Sequence, residues 1–503
     1  MRPVSRRRVL QGGAVTATAV TGVAGSPFAG FGGLVQAAPR GTVPDSAWEE
    51  LNRSLTGTLI RPEDDGYNTW GHPQNLRYDA KRPAGVAVCH TARDVRTAVL
   101  WAARTGVHLA ARSGGHSYGG YSATTGLLVD LGQLDRVRVD RREGTVTVGA
   151  GARNTDLYNA LQPFGAALSA GRCPTVGISG LTLGGGFGFS SRMLGLTCDS
   201  LLRTTVVTAA GNLLESDAVR HSDLFWACRG GGGGNFGINT EFTFRTTPVD
   251  RVSVYQLDWD WEDVPAAFAA VQALVMAAPN AFSCRIGGGA AGRTRKEIRS
   301  RRTLSALGQY FGPADELREL LDPVLRAARP QRVLIENRTF WQAKDFFYHS
   351  VPSGRYAVSS RYLDRPLPER GVEAFVDAVD VWPGSSNPDG AGMAMFAWGG
   401  AIGDTGPRET AFWHRSARFL LATETTWAEQ DPPSLVRANL AWLNALNHAL
   451  EPYDNGYAYQ NFIDPALRDW KRAYYGGNYP RLTEVKHAYD PGDLFRFRQS
   501  ITG

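Results

Sequence analysis

The sequence predicts an α+β fold in two successive domains, and three observations carry that reading. A chain of 503 residues is too long for one core. Short strand patterns with few helices fill it to about residue 250, without regular strand–helix alternation. From residue 251 to 450, strands are interspersed with long helical runs, and most of the thirteen tryptophans collect there. Hydrophobic residues at 43% and charged residues at 20% form an ordinary globular mixture, which excludes a disordered or collagen-like chain.

The first segment, residues 1–38, reads as a leader. Ser5-Arg-Arg-Arg-Val-Leu-Gln11 is followed by a mildly apolar stretch from Gly12 to Leu34 and by the small-residue cleavage pattern Val35-Gln-Ala-Ala38. That is a twin-arginine export signal, and it predicts a secreted protein carried out already folded. The net charge of +6 drops to +2 without this segment, which holds four arginines and no acid, so nucleic acid is not an expected partner. No other segment is long and apolar enough to span a bilayer, so no stable membrane association is expected.

The next region, residues 39–250, opens with a clear helix. Thr91-Ala-Arg-Asp94 is a capping box ahead of Val95, Ala98, Val99 and Ala102, and Gly106 can close the last turn. Val107–Ala111 and Leu127–Leu131 read as short strands, and Val137/Val139 with Val146/Val148 alternate around Arg142-Glu-Gly144 as a hairpin. The pattern predicts a domain without an alternating parallel sheet. Residues 251–450 predict a second α+β domain, with a strand over Val252–Leu257 and helices over Val264–Ala277 and Ala314–Ala328. Residues 451–503 are too few for a domain and must pack back on the first.

Chemistry concentrates in the glycines. Clusters at 114–120, 149–151, 177–188 and 230–237 allow main-chain N–H groups to converge on an anion, which suggests a large phosphate-bearing ligand. Gly232–Gly237 satisfies G-x-G-x-x-G, but a helical stretch precedes it and a strand follows, the reverse of a dinucleotide fingerprint. The five cysteines (Cys89, Cys173, Cys198, Cys228, Cys284) are odd in number, so at least one is unpaired or otherwise used. With no Cys-x-x-Cys, no His-Glu-x-x-His and no ligand spacing among nine histidines, no metal site is expected.

Taken together, Arg112-Ser-Gly-Gly-His116-Ser-Tyr-Gly-Gly, Gly171-Arg-Cys173-Pro-Thr-Val-Gly177, Leu183-Gly-Gly-Gly-Phe-Gly188, Asn235-Phe-Gly, Tyr459-Gln-Asn461 and Tyr475-Gly-Gly-Asn478 resemble, in order and spacing, the berberine bridge enzyme-like branch of the flavoproteins with a p-cresol methylhydroxylase-type FAD domain. The resemblance spans about residues 60–501. It implies a two-subdomain FAD-binding domain, a substrate domain with an antiparallel sheet, and FAD bonded twice, to His116 and to Cys173. It further assigns Arg112, Ser113, Gly114, Gly115, Ser117, Thr175, Val176, Gly177, Gly180, Gly184, Gly185, Gly188, Ile238, Asn461 and Asn478 to the cofactor.

The implied reaction moves hydride from an alcohol carbon to the flavin, and a base must take the hydroxyl proton. In the resemblance that base is Tyr459, with Tyr118 as its partner and Tyr457 and Tyr475 as other candidates; His414, in a strand-like Phe412-Trp-His-Arg, reads as structural. Val176, three residues after Cys173, resembles the small residue that admits oxygen, implying an oxidase that makes hydrogen peroxide. The expected substrate is an alcohol or carbohydrate, with a sugar hemiacetal first. The tryptophans of the second domain suit either ring stacking or simple core filling. A natural-product tailoring oxidase is the alternative, and intact His116, Cys173 and Tyr459 weigh against a redox-silent binding protein.

Overall fold

A computed structural model describes residues 43–349 and 352–503; the expected leader lies outside the described residues. The first sheet joins β1 (Thr58–Ile60), β2 (Gly85–Val88), β3 (Leu109–Arg112) and β4 (Leu127–Asp130) in the order β1-β2-β4-β3. Between β2 and β3 runs the helix Ala92–Thr105. The Thr91/Asp94 capping box forms, Gly106 closes the helix at φ 70°, and Val95, Ala98, Val99 and Ala102 face the core, as their spacing requires. β2 and β3 both pair parallel to β4 while β1 pairs antiparallel to β2, a mixed sheet within the expected α+β class. β2 and β4 are buried at every position, so they show no alternation to read.

The second sheet contains β5 (Val137–Asp140), β6 (Thr145–Gly149), β8 (Leu201–Val207), β9 (Leu213–Asp217) and β10 (Ile238–Arg245), in the order β5-β6-β10-β8-β9. The intervening β7 (Ala166–Ala167) pairs only with β11 (Thr247–Pro248). β5 and β6 form the expected hairpin, with Gly144 at φ 62° in its turn.

The third sheet is wholly antiparallel. It comprises β12 (Arg251–Trp259), β13 (Arg285–Ala290), β14 (Arg302–Tyr310), β15 (Arg332–Thr339), β16 (Arg355–Leu363), β17 (Ala391–Ala397) and β18 (Phe419–Trp427), ordered β15-β12-β14-β13-β17-β18-β16. One face, with Ile286, Leu304, Met393 and Leu421, packs against helices Val264–Ala277, Ala314–Ala327, Glu369–Asp380 and Pro433–Leu450. The opposite face is left to the site described below.

The hydrophobic cores do not part at residue 250. Val252 and Val254 on one side of β12 join the first core, while Tyr255, Leu257 and Trp259 join the second. The helix Phe340–Phe346 and the C-terminal helix Tyr479–Tyr489 also feed the first core. Lys486 on that last helix is fully buried. Its ammonium donates to Asn235 O (3.0 Å), Phe495 O (2.6 Å) and Asp490 Oδ2 (2.6 Å), tying the glycine loop before β10 to the chain's end. Residues 42–503 form one compact unit, and among the described residues no helix is long and apolar enough to cross a membrane.

Candidate active site

β3 ends at Arg112 and delivers the loop 113–117 to the mouth of a cavity of about 960 Å³. Arg112 does not face that cavity. Its Nε donates to Asp130 Oδ2 at 2.9 Å, and its two Nη groups go to His72 O and Trp70 O. The residue therefore fixes the loop from behind and is not part of the cavity lining. Ser113 anchors the loop again through Oγ to Ala150 O (2.7 Å). Gly114 packs face to face with Gly177 of the second loop; a Cβ on Gly114 would stand 2.3 Å from Gly177 N, so neither position admits a side chain. At Gly180 nothing lies within 4 Å of an added Cβ, which marks open space beside the loops.

This pairing brings the two expected attachment residues together. Thr175 Oγ1 lies 2.9 Å from His116 Nε2 and 3.7 Å from Cys173 Sγ, and both His116 and Cys173 line the cavity. Burial, aided by Arg153, pushes His116 down to about 4, so the ring is neutral at physiological pH. When Nε2–H is donated to Thr175, Nδ1 keeps its lone pair and is the nitrogen free to form a bond. Ser117, Val176, Gly188, Ile238 and Asn461 also line this cavity. The shape suits a long phosphate-bearing cofactor, because glycine-rich main chain at 113–115, 177–180 and 232–234 borders one continuous volume.

Tyr459 enters from the C-terminal segment and is almost completely buried. Its hydroxyl oxygen accepts from Gly186 N and from Asn461 Nδ2, both at 3.1 Å. Asn461 Nδ2 is itself held by Leu181 O at 2.9 Å. Phe187, Trp398, Phe412 and Phe462 cage the ring at centroid distances of 5.5, 6.3, 6.2 and 5.2 Å. Burial raises the phenol well above its ordinary range, and the bonds from Asn461 and Gly186 pull it back in part. Tyr118 stacks on Phe462 (5.4 Å) and meets Tyr356 edge-on (5.5 Å); burial raises it too, and it lacks the hydroxyl donors that Tyr459 has.

Several expected positions serve other ends. Gly184 and Gly185 do not line the cavity: a Cβ on Gly184 would fall 2.0 Å from Asn461 Oδ1, and one on Gly185 would fall 2.6 Å from the Phe412 ring. They make room for the cage around Tyr459. Asn478 lies away from the cavity, where its amide donates to Pro407 O (2.6 Å), Thr410 O (3.2 Å) and Ala411 O (3.2 Å). Its Tyr-Gly-Gly-Asn context therefore marks a buried clamp. His414 lies in a loop and not on a strand; it stacks on Tyr362 and approaches Tyr474 O at 2.9 Å. Tyr475 lines the cavity and Tyr457 does not. Of the two readings of the tryptophans, the core reading holds, because no tryptophan lines the cavity and Trp259, Trp261, Trp382, Trp427 and Trp442 fill the second core.

Three charged residues on the sheet side escaped the sequence reading. Glu424 of β18, Arg285 of β13 and Arg172 of the Cys173 loop all line the cavity. Arg172 stood inside a motif read for its cysteine. Arg285 heads the unusual strand Arg-Ile-Gly-Gly-Gly-Ala, whose glycines signal a close approach.

Fold and cavity define a flavin-dependent oxidoreductase, and similarity to known proteins agrees. Residues 83–217 match the FAD binding domain family and residues 458–502 the berberine and berberine-like family. An FAD-linked oxidoreductase of Bacillus subtilis is 34% identical over 89% of this chain and 97% of its own length. Glucooligosaccharide oxidase of Sarocladium strictum is 29% identical over 92% of this chain and 97% of its own. Among solved structures, BBE-like 1 of Physcomitrella patens superposes with a TM-score of 0.82 at 28% identity, covering 90% of this chain and 98% of that one. Glucooligosaccharide oxidase of Acremonium strictum, described with a 6-S-cysteinyl, 8α-N1-histidyl FAD, superposes with a TM-score of 0.80 at 27% identity, covering 90% and 99%. The chain belongs to the berberine bridge enzyme-like FAD-linked oxidoreductases. It is an FAD enzyme.

Proposed function

We propose that the protein is a secreted oxidase that converts an alcohol carbon of a carbohydrate, a hemiacetal carbon first of all, to the carbonyl level and passes the electrons to oxygen as hydrogen peroxide. The observation that carries this reading is Tyr459, whose oxygen takes two N–H donors at 3.1 Å while its ring is locked in an aromatic cage at the cavity wall. Tyr459 also lines the cavity, where its oxygen, when ionised, can accept the proton of a substrate hydroxyl.

FAD, when bound, supplies the acceptor for the hydride. His116 through Nδ1 and Cys173 through Sγ would hold it covalently, at the 8α-methyl carbon and carbon 6, with Thr175 fixing both side chains from between. The glycine main chain would take its phosphates. Gly186 N and Asn461 stabilise the ionised Tyr459 oxygen, the form that takes the substrate proton and becomes the neutral phenol, and the aromatic cage packs around its ring. Val176 presents a small side chain to the same cavity, which leaves a path for oxygen. Similarity to the oligosaccharide oxidases supports the sugar reading. Export is read from the twin-arginine leader pattern alone.

A panel of reducing oligosaccharides and glycosylated polyketides, read as peroxide and as anaerobic bleaching of the flavin, tests the proposal. Oxidation of the sugars is expected. Bleaching by polyketide glycosides alone would move the protein to natural-product tailoring.

A further inference from the structure

The sheet-facing half of the cavity holds three charges that the protein leaves unanswered. Its floor is made of minimal side chains: Gly287, Gly289, Gly392, Ala394 and Ala422. Strand register places Glu424 beside Gly392, which pairs with Gly289. Arg285 lies along its own strand, with Nη2 3.1 Å from where a Cβ on Gly287 would stand. Arg172 reaches in from the Cys173 loop.

Among the described residues, neither guanidinium has a carboxylate within 4.0 Å or a hydrogen bond, and the Glu424 carboxylate has none either. Arg285 Nε is buried with no acceptor at all. Arg172 and Arg285 are half-buried and Glu424 is exposed, and all three line the cavity.

A guanidinium presents five donors in a rigid fork and keeps its charge, so one that lines a ligand cavity without a protein acceptor is suited to an anionic ligand. The two arginines repel one another, and one distant carboxylate cannot answer both. The cluster is left with one net positive charge. Asp389 and Arg301, at the ends of β17 and β14 on the same wall, are opposite in sign and leave that balance unchanged. A monoanion brings the cluster to neutrality, whereas a phosphate dianion overshoots it. The planar fork of arginine fits a carboxylate with two parallel bonds. The shallow glycine and alanine floor leaves room for a sugar ring beside it.

We propose that this half of the cavity binds a sugar that bears a carboxylate, a uronic acid unit, with Arg285 and Arg172 taking the carboxylate and Glu424 accepting from ring hydroxyls. The inference rests on the oxidase reading above and names the substrate class of that site.

The test compares α-1,4-digalacturonate with its neutral counterpart α-1,4-galactobiose on the flavin-loaded enzyme, by kcat/KM from peroxide and by calorimetric binding at low ionic strength without turnover. Digalacturonate should be preferred at least tenfold by both measures, and Arg285→Gln should reduce the ratio below threefold, with Arg285→Lys restoring part of it. Preference for the neutral sugar, or an acid preference that survives Arg285→Gln, overturns the proposal and leaves the oxidase reading standing. Arg285-dependent binding of the acid with neither sugar oxidised overturns the oxidase reading alone. If Arg285→Gln fails to fold, Arg172→Gln decides: the preference for digalacturonate should fall below threefold, and an unchanged preference would refute the assignment.

Discussion

Replacement of Tyr459 by Phe isolates the hydroxyl from the ring. The cage of Phe187, Trp398, Phe412 and Phe462 touches only the ring, so packing is unchanged. Two donors lose their acceptor, but Asn461 Nδ2 still reaches Leu181 O at 2.9 Å, so only Gly186 N–H is orphaned. An orphaned buried donor costs about 1–3 kcal/mol, against a typical domain stability of about 5–15 kcal/mol, so the variant folds. Loss of a positioned base slows the chemical step by roughly 10²–10⁴, which is about 3–5 kcal/mol of barrier.

Anaerobic stopped-flow reduction of the flavin by an oxidisable oligosaccharide measures that step directly. Covalent flavin content should match the wild type, while reduction slows by that factor. The pH dependence supplies a second reading. Because burial holds the Tyr459 phenol above its ordinary value of about 10, the ionised fraction still rises about tenfold per unit through the alkaline range. Wild-type reduction should therefore accelerate as pH rises without levelling below about pH 10, and the variant should lose that limb. Reduction within threefold of wild type, with the alkaline limb intact, would refute the role of Tyr459.

The wild-type protein should stay yellow through acid precipitation, and His116→Ala and Cys173→Ala should each keep a singly linked flavin; release of all flavin from the wild type contradicts the two attachments. Val176→Leu should slow reoxidation by oxygen in double-mixing experiments and leave reduction by substrate nearly unchanged. Arg112→Ala breaks a buried ion pair with Asp130, with both side chains under a tenth exposed, and should cost about 3–5 kcal/mol by thermal unfolding, part of it recovered when Asp130 is also replaced by Ala. Burial pushes His414 down to about 3, so its contribution to stability is intact above about 6.5 and is lost as pH falls toward 3. Denaturant titrations of wild type and His414→Gln should converge over that window, and a constant gap would show that His414 does not titrate there.

The sequence was most legible where one local rule decides the structure. Thr91/Asp94 and Gly106 bound a helix that needs no distant partner, and the β5–β6 hairpin follows from alternation around one glycine. The loops carrying His116 and Cys173 were legible as motifs, but their meeting through Thr175 depends on contact between Gly114 and Gly177, which are 63 residues apart and lie on different elements. What stayed hidden depends on which way a side chain points. Arg112 and Asn478 sit in the right motifs and turn their polar ends into the protein. Glu424 and Arg285 look like ordinary strand charges until antiparallel register sets them on the cavity face of the third sheet. Tryptophan composition left stacking and core filling both open because composition does not separate the two faces of a sheet.

The C-terminal segment has a consequence for how the enzyme is made. Tyr459, Asn461, Phe495 and Arg498 all line the cavity, and the Lys486 ammonium locks the last turn of the chain onto Asn235. At about 5–20 residues per second, a ribosome spends about 25–100 s on these residues, and the cavity walls are completed only with the final tenth of that time. Complete enclosure of the flavin therefore needs the C-terminal segment in place, and a chain stopped short near residue 450 has the two attachment residues but lacks those walls. Such a product would emerge colourless, so colour itself reports that synthesis reached the end.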